Sequence, residues 1–250
     1  MNTSTAARFR PLALAILSAS TLATPALAQS PAQAQPELKA PLVITPGPLP
    51  GSAPSDAVVL YGGGAPDGWA TRDGKPAGWT SDGKPGGFMT VTTKTGDIVS
   101  KQSFGSAQIH VEFMIPVTSG EGQDRGNSGV YIHGRYEVQI LDSFKNETYP
   151  DGQCGAIYKQ YVPLVNACRP PGEWQSYDII FHAASFNASG AKTAPARLTV
   201  FQNGVLIQDN VELKGPTGGA IGQEEKPTGP LLLQEHGHEV KFRNIWYRPI

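Results

Sequence analysis

Glu137, Gln139 and Asp142 fall within one short stretch, GNSGVYIHGRYEVQILDS, from Gly126 to Ser143. Carboxyl groups closely spaced along a strand are suited to moving protons on a hydroxyl-rich substrate. A second constellation, Gln234-Glu235-His236-Gly237-His238, follows the apolar run Leu231-Leu232-Leu233 and adds imidazole and carboxylate, groups suited to acid–base work. Glu137, Asp142, Glu235 and His236 are therefore the catalytic candidates. Gln139, Gln234, His133, Arg135 and Asn127 are candidates for binding hydroxyl or carbonyl oxygens, as are Tyr158 and Lys159; His110, Glu112 and Trp174 are expected to complete the site. Each group also has a plainer reading. Glu137 and Asp142 can be surface or turn residues, residues 234–238 a solvated turn, His110 and Glu112 a wet strand face, and Trp174 core.

These residues need a hairpin to hold them. Alternating runs flank Gly134-Arg135, and glycine between such runs signals a tight turn. A three-residue loop, Gly134 to Tyr136, sets His133 across from Glu137 and Tyr131 across from Gln139. It leaves Val130, Ile132, Val138 and Ile140 together on an apolar face. A two-residue loop would mix the faces, which a half-buried sheet resists.

Glu137 and Gln139 then point the same way, and Asp142 joins them only if a bulge restores the phase. The spacing E-V-Q-I-L-D is similar to the E-x-D-x-x-E strand of laminarinase-type glycosidases, but the residues differ. Gln139 carries no charge, and the shorter Asp142 disturbs the separation of about 5–5.5 Å that double displacement requires. Conventional retaining hydrolysis of a glucan is therefore disfavoured.

Residues 1–28 carry Arg8 and Arg10, an apolar run from Leu12 to Leu22, and Ala26-Leu27-Ala28, the organisation of a secretory signal. The run is shorter than the roughly 20 apolar residues of a membrane span. The expected location is periplasmic or secreted, with no membrane span. Residues 29–55, rich in Pro, Ala and Gln, read as a flexible tether, and residues 56–250 as a single catalytic domain. The formal net charge of −1 offers no electrostatic footprint for nucleic acid. Cys154 and Cys168 are expected to form a disulfide in an exported protein. No cofactor is expected, although His236, His238 and a carboxylate leave a divalent metal open.

The domain reads as all-β. Glycine and proline punctuate short alternating segments, and helical periodicity is scarce. Ala107 to Ile115 alternates over nine residues; Trp174 to His182 is another strand, and Val58 to Tyr61 is a short one that can pair with the C-terminal strand. Asn203-Gly204 predicts a hairpin. Gly237 predicts a second, joining Leu231–Glu235 to Val240–Tyr247.

The blocks GNSGVYIHGRYEVQILDS, CGAIY, PGEWQSYDIIF, NGV and GPLLLQEHGHEVKFRNIW, in order from about residue 57 onward, resemble the 3-keto-disaccharide hydrolase family. His133 stands where many members have arginine, and Glu235 where aspartate is common. The resemblance implies a two-sheet antiparallel jelly-roll sandwich of the concanavalin A-like lectin and glucanase type. It also implies an enzyme acting on oxidised, 3-keto disaccharides or glucosides as a 3-keto-glucoside-1,2-lyase or 3-keto-2-hydroxyglucal hydratase, with glycoside hydrolysis as the net outcome. Such chemistry needs a base for the C2 proton, Glu137 or His236, and an acid for the departing oxygen, Asp142 or Glu235. The competing expectation is a non-catalytic carbohydrate-binding module on the same fold.

Overall fold

The computed structural model describes Met1, Pro41 and residues 43–250. The signal and the first part of the expected tether lie outside the described residues. The unit from Val43 to Ile250 is compact. It begins before residue 56 because residues 43–55 are hydrogen-bonded to it: the Gly51 carbonyl accepts from Asn244 Nδ2 (2.8 Å) and Trp246 Nε1 (2.9 Å).

The described residues run through fifteen strands. The first six are β1 (Val58–Tyr61), β2 (Trp69–Thr71), β3 (Thr80–Ser81), β4 (Met89–Thr90), β5 (Ile98–Phe104) and β6 (Ala107–Met114). The central hairpin is β7 (Ser128–Ile132) and β8 (Tyr136–Ile140), followed by a single 3₁₀ turn at Pro150–Gly152. Then come β9 (Trp174–His182), β10 (Ser185–Phe186), β11 (Lys192–Ala194), β12 (Arg197–Gln202), β13 (Val205–Glu212), β14 (Gly229–Leu233) and β15 (Lys241–Pro249).

Two antiparallel sheets form the jelly-roll sandwich. The larger has the order β13-β12-β9-β6-β15-β4-β3, with β1 also paired to β15; the smaller has the order β2-β5-β14-β7-β8. Alternation makes the larger sheet two-faced. Ile109, Val111, Phe113, Ile179 and Phe181 are wholly buried, and each aliphatic or aromatic side chain so buried contributes about 1.5–3 kcal/mol. They meet Val130, Ile132, Val138 and Ile140 of the smaller sheet in one core. Phe104 stacks on Tyr247 across the two sheets, with centroids 4.8 Å apart.

The turn at Asn203-Gly204 joins β12 to β13 as expected, with positive φ at both residues (53° and 80°), and β1 pairs with β15. The segments around Gly237 do not form a hairpin. β14 pairs with β5 and β7 in the smaller sheet, whereas β15 lies in the larger, so residues 234–240 carry the chain from one sheet to the other.

The central hairpin has the expected faces in a different register. Val130 pairs with Val138, Tyr131 with Glu137 and Ile132 with Tyr136, which makes His133–Arg135 the loop. Both His133 (φ 54°) and Gly134 (φ 63°) adopt the left-handed region, which places the turn one residue earlier than the glycine alone suggests. Because the loop moves without changing its length, each residue keeps its face. The ladder runs without a bulge and β8 ends at Ile140, so Asp142 is not brought back into phase with Glu137.

Cys154 and Cys168 are separate thiols rather than the expected disulfide. Cys154 Sγ lies 3.1 Å from Tyr177 Oη and 3.4 Å from Gln202 Nε2, whereas Cys168 Sγ faces Leu141 O at 3.6 Å.

Candidate active site

Every residue of β7 and β8 is buried, on both faces. One face joins the core. The other carries Tyr131, Glu137 and Gln139, and chain from either side covers it. Along the open edge of β8, Gln139 N donates to Ala156 O (2.9 Å) and Tyr158 N to Glu137 O (3.2 Å), which sets Tyr158 beside Glu137. On the β7 side, Gln234 N donates to Gly129 O (3.0 Å) and Ser128 Oγ to Gln234 O (2.7 Å). These bonds extend the β14 pairing beyond the strand and deliver Gln234 and His236. At the hairpin end, Glu137 N donates to Thr217 Oγ1 (3.0 Å), and Thr217 N to Arg135 O (2.9 Å), docking the loop that carries Gly218 and Gly219.

The result is a cavity of about 280 Å³ lined by Asn127, Tyr131, Glu137, Gln139, Tyr158, Gly218, Gly219, Gln234 and His236. The hairpin and the segment after β14, nearly one hundred residues apart in sequence, thus meet in one hollow. Glu137 is 3 % exposed. Burial pushes its carboxyl up to about 8 and the charge of Asp97 adds to the rise, while the Tyr131 hydroxyl partly opposes it. The Gln139 amide is satisfied with its nitrogen toward Ser128 O (2.8 Å) and Glu137 Oε1 (3.0 Å). Tyr131 Oη donates to Gly218 O (2.9 Å) and accepts from Gln234 Nε2 (3.0 Å). Burial and the neighbouring Glu137 carboxylate keep this phenol protonated. Gln234 Oε1 is buried and has no partner among the described residues. A carboxyl that exchanges its proton near neutral pH, an imidazole, two phenols and an unsatisfied amide oxygen make a site that can move a proton on a bound polyol.

Several expected residues lie elsewhere. His133 is packed between Phe104 and Phe181 (centroids 5.2 and 4.6 Å), with Nε2 on Gly105 O at 3.1 Å, because its left-handed backbone turns the ring into the core. Its burial lowers the imidazole to about 4. Arg135 is buried under the turn and donates to Glu224 O (2.6 Å) and His133 O (2.8 Å). Asp142, with no exposure, pairs with Arg125 (2.7 Å) and accepts from Phe144 N (3.1 Å). Glu235 points away from the cavity and accepts from Gly237 N (2.7 Å), in keeping with strand alternation after Gln234. Lys159 caps the Tyr149 ring at 3.2 Å and faces Asp151 at 3.4 Å. It neighbours the cavity without lining it.

His110, Glu112 and Trp174 are on the outer face of the larger sheet, beyond the core from Glu137. There His110 pairs with Asp178 (2.7 Å), and Arg243 binds Glu112 (2.6 Å) and stacks 4.0 Å over Trp174. His238 accepts from Asn127 N (3.2 Å), and among the described residues no three His, Cys, Asp or Glu side chains converge as a metal site. Asp97, Thr217 and the Gly218-Gly219 pair are absent from the sequence reading, which set Tyr131 on the hairpin without counting it among the site residues. Tyr131 alone had a legible signal, since it alternates in phase with Gly129 and lies on the Glu137 face.

Residues 56–248 match the model of the 3-keto-alpha-glucoside-1,2-lyase-like domain. A crystal structure of a candidate glycosyl hydrolase from Parabacteroides distasonis is 42% identical, with a TM-score of 0.78, over 87% of this chain and 95% of that one. A second candidate glycosyl hydrolase from the same organism is 20% identical, with a TM-score of 0.57, over 78% and 94% of the two chains, and shares the fold. No curated protein matches the chain. With the family model spanning nearly all of the ordered domain, the chain belongs to the 3-keto-alpha-glucoside-1,2-lyase-like family.

Proposed function

We propose that the protein is a carbohydrate-active enzyme that cleaves or hydrates 3-keto-glycosides by proton transfer at C2, with glycoside hydrolysis as the net outcome. The observation that carries this reading is Glu137, a buried carboxyl whose proton affinity is raised to about 8, sharing one cavity with His236. A ketone at C3 acidifies the C2 hydrogen. The Glu137 carboxylate takes that proton, and the C2–H electron pair becomes the enolate of the C3 carbonyl. The enolate then collapses to the C1–C2 double bond, and the C1–O bond breaks as His236, in its protonated form, gives its proton to the departing oxygen. Hydration runs in reverse: water adds at C1 and the C2 proton returns from Glu137. No carboxylate nucleophile is needed, which accords with Gln139 standing in the middle of the strand.

The Tyr158 hydroxyl and the second amide hydrogen of Gln234 are the donors available to the enolate oxygen. The unpartnered Gln234 Oε1 is an acceptor for a sugar hydroxyl. The volume of about 280 Å³ lies at the lower limit of ligand sites, which favours a single enclosed ring and therefore the end of a disaccharide over the interior of a polymer. The family name supports the 3-keto chemistry, and the description of the 42%-identical relative as a candidate glycosyl hydrolase supports action on glycosides in general. Export, read from residues 1–28, belongs to the same proposal, and cell fractionation tests it.

The test is incubation of the purified protein with a 3-keto-glucoside in D₂O, followed by NMR. Deuterium at C2 together with a glycal or 3-keto-glucose is the expected outcome. Absence of both sinks the reading, and saccharide binding without exchange would make the domain a binding module instead.

A further inference from the structure

We propose that Asp97 and Arg72 are positioning residues: their ion pair clamps the two chain segments that roof the Glu137 cavity. The proposal rests on the reading of that cavity as the reaction site. Asp97 stands immediately before β5, and Arg72 immediately after β2. Asp97 Oδ1 accepts from Glu235 N (2.8 Å), fixing the backbone between Gln234 and His236, both of which line the cavity. Asp97 Oδ2 accepts from Arg72 Nε (2.8 Å) and also pairs with Nη2. Arg72 Nη2 in turn donates to the carbonyl of Gly219. One carboxylate and one guanidinium thus tie together four segments: the end of β2, the start of β5, the loop over the cavity and the crossover after β14.

Gly219 shows why the clamp must be accurate. Its φ of 79° suits glycine, and a Cβ there would lie 2.7 Å from Tyr131 Oη. The loop therefore rests directly on the phenol that faces Glu137, and any slackening of Gly219 displaces the Tyr131–Gly218 hydrogen bond. An Arg–Asp pair with the guanidinium 40% exposed contributes little to global stability. The pair matters through geometry and through the negative charge of Asp97, which helps hold the proton on Glu137. The other ionisable groups around Glu137 are Tyr131, Tyr149, Tyr158 and His236, and the neutral amides of Asn127, Gln139 and Gln234 complete the polar lining, with Arg72 acting on Tyr131 from behind Asp97.

The test uses D97N, R72Q and R72K in the full chain. The Glu137 carboxyl, labelled with ¹³C and assigned by its loss in E137Q, is titrated by NMR, and hydrogen exchange is followed for the amides of Ala220 and Ile221, which donate to Thr217 O and Gly134 O. D97N is expected to lower the Glu137 midpoint by about half a unit or more. R72Q is expected to speed loop exchange at least tenfold with Tm nearly unchanged, and R72K to restore part of the protection. With a 3-keto-glucoside, R72Q should lower kcat more than it raises KM. Wild-type titration in D97N together with wild-type exchange in R72Q overturns the clamp. Neither measurement needs turnover, so a protein inactive on 3-keto-glucosides would refute the proposed chemistry while leaving the clamp to be judged on its own readouts.

Discussion

Tyr131 stands directly opposite Glu137 across the β7–β8 ladder, and both side chains turn away from the core into the same cavity. Cross-strand partners have Cβ atoms about 4.5–5.5 Å apart, so a permanently protonated phenol is held beside a carboxyl that titrates near neutrality. That pairing underlies the behaviour expected of the enzyme.

Replacing Glu137 with glutamine removes the base while keeping the shape. Turnover of a 3-keto-glucoside should fall roughly 10²–10⁴-fold, and C2 deuterium exchange should fall with it. In the wild type, the rate of C2 deuterium exchange, a step that does not draw on the His236 proton, should climb about tenfold per pH unit toward pH 8 and level off above it, because only the carboxylate accepts the proton. A pH–rate profile checks both; a rate that falls through pH 8 would assign Glu137 the acid's role.

The same carboxyl predicts a stability effect of definite sign. Its folded value, about 8, lies above the ordinary 4.5, so between these values the folded chain keeps a proton that the unfolded chain has released. Stability conferred by that proton is complete below about pH 4.5 and declines as pH rises through the window, at no more than about 1.4 kcal/mol per unit. E137Q should lack this decline and be the more stable protein at pH 8. Urea unfolding at pH 5 and pH 8 decides.

Gly129 lies against the carboxyl that matters. A Cβ there would sit 2.5 Å from Glu137 Oε1 and 3.0 Å from Tyr131 Cε2. The end of the Glu137 side chain can swing aside, so G129A should cost only about 1 kcal/mol of stability while lowering kcat at least tenfold. Paired thermal melts and kinetics separate the two effects.

His236 is exposed at the rim, and H236Q should leave Tm unchanged while lowering turnover roughly 10²–10⁴-fold. A leaving group that needs no proton, such as nitrophenolate on a 3-keto-glucoside, should recover most of that loss. Failure of such rescue would remove His236 from the acid's role.

Asp142 should behave in the opposite manner. Its buried carboxylate binds Arg125 and the Phe144 amide outside the cavity. D142A leaves a partly buried guanidinium unpaired, at a cost of roughly 2–3 kcal/mol, measurable in a denaturant titration. Per folded molecule, kcat should remain within a few-fold of wild type.

The fate of the candidate residues follows from what is local. Alternation is a property of a strand alone, and it correctly separated Glu137 and Gln139 from Val138 and Ile140, and Gln234 and His236 from Glu235. It carried the long β6 and β9 strands and the Asn203-Gly204 turn for the same reason. It could not place His133, whose backbone leaves the strand at a positive φ, or Asp142, which lies beyond the end of β8. It could not say that His110, Glu112 and Trp174 belong to the other sheet. Asp97, Arg72 and Gly219 carry no local signal, because their meaning lies in one another.

Local chemistry written along the chain was enough for an all-β domain, the polar face of the central hairpin, and membership of a family that handles oxidised sugars. Tertiary structure decided which polar groups share a cavity, which are sealed into ion pairs, and that burial raises the proton affinity of one carboxyl far above the ordinary range. The reason is physical. A strand's own periodicity settles the direction of each side chain, whereas desolvation and charge–charge coupling arise only when segments far apart in sequence cover that strand.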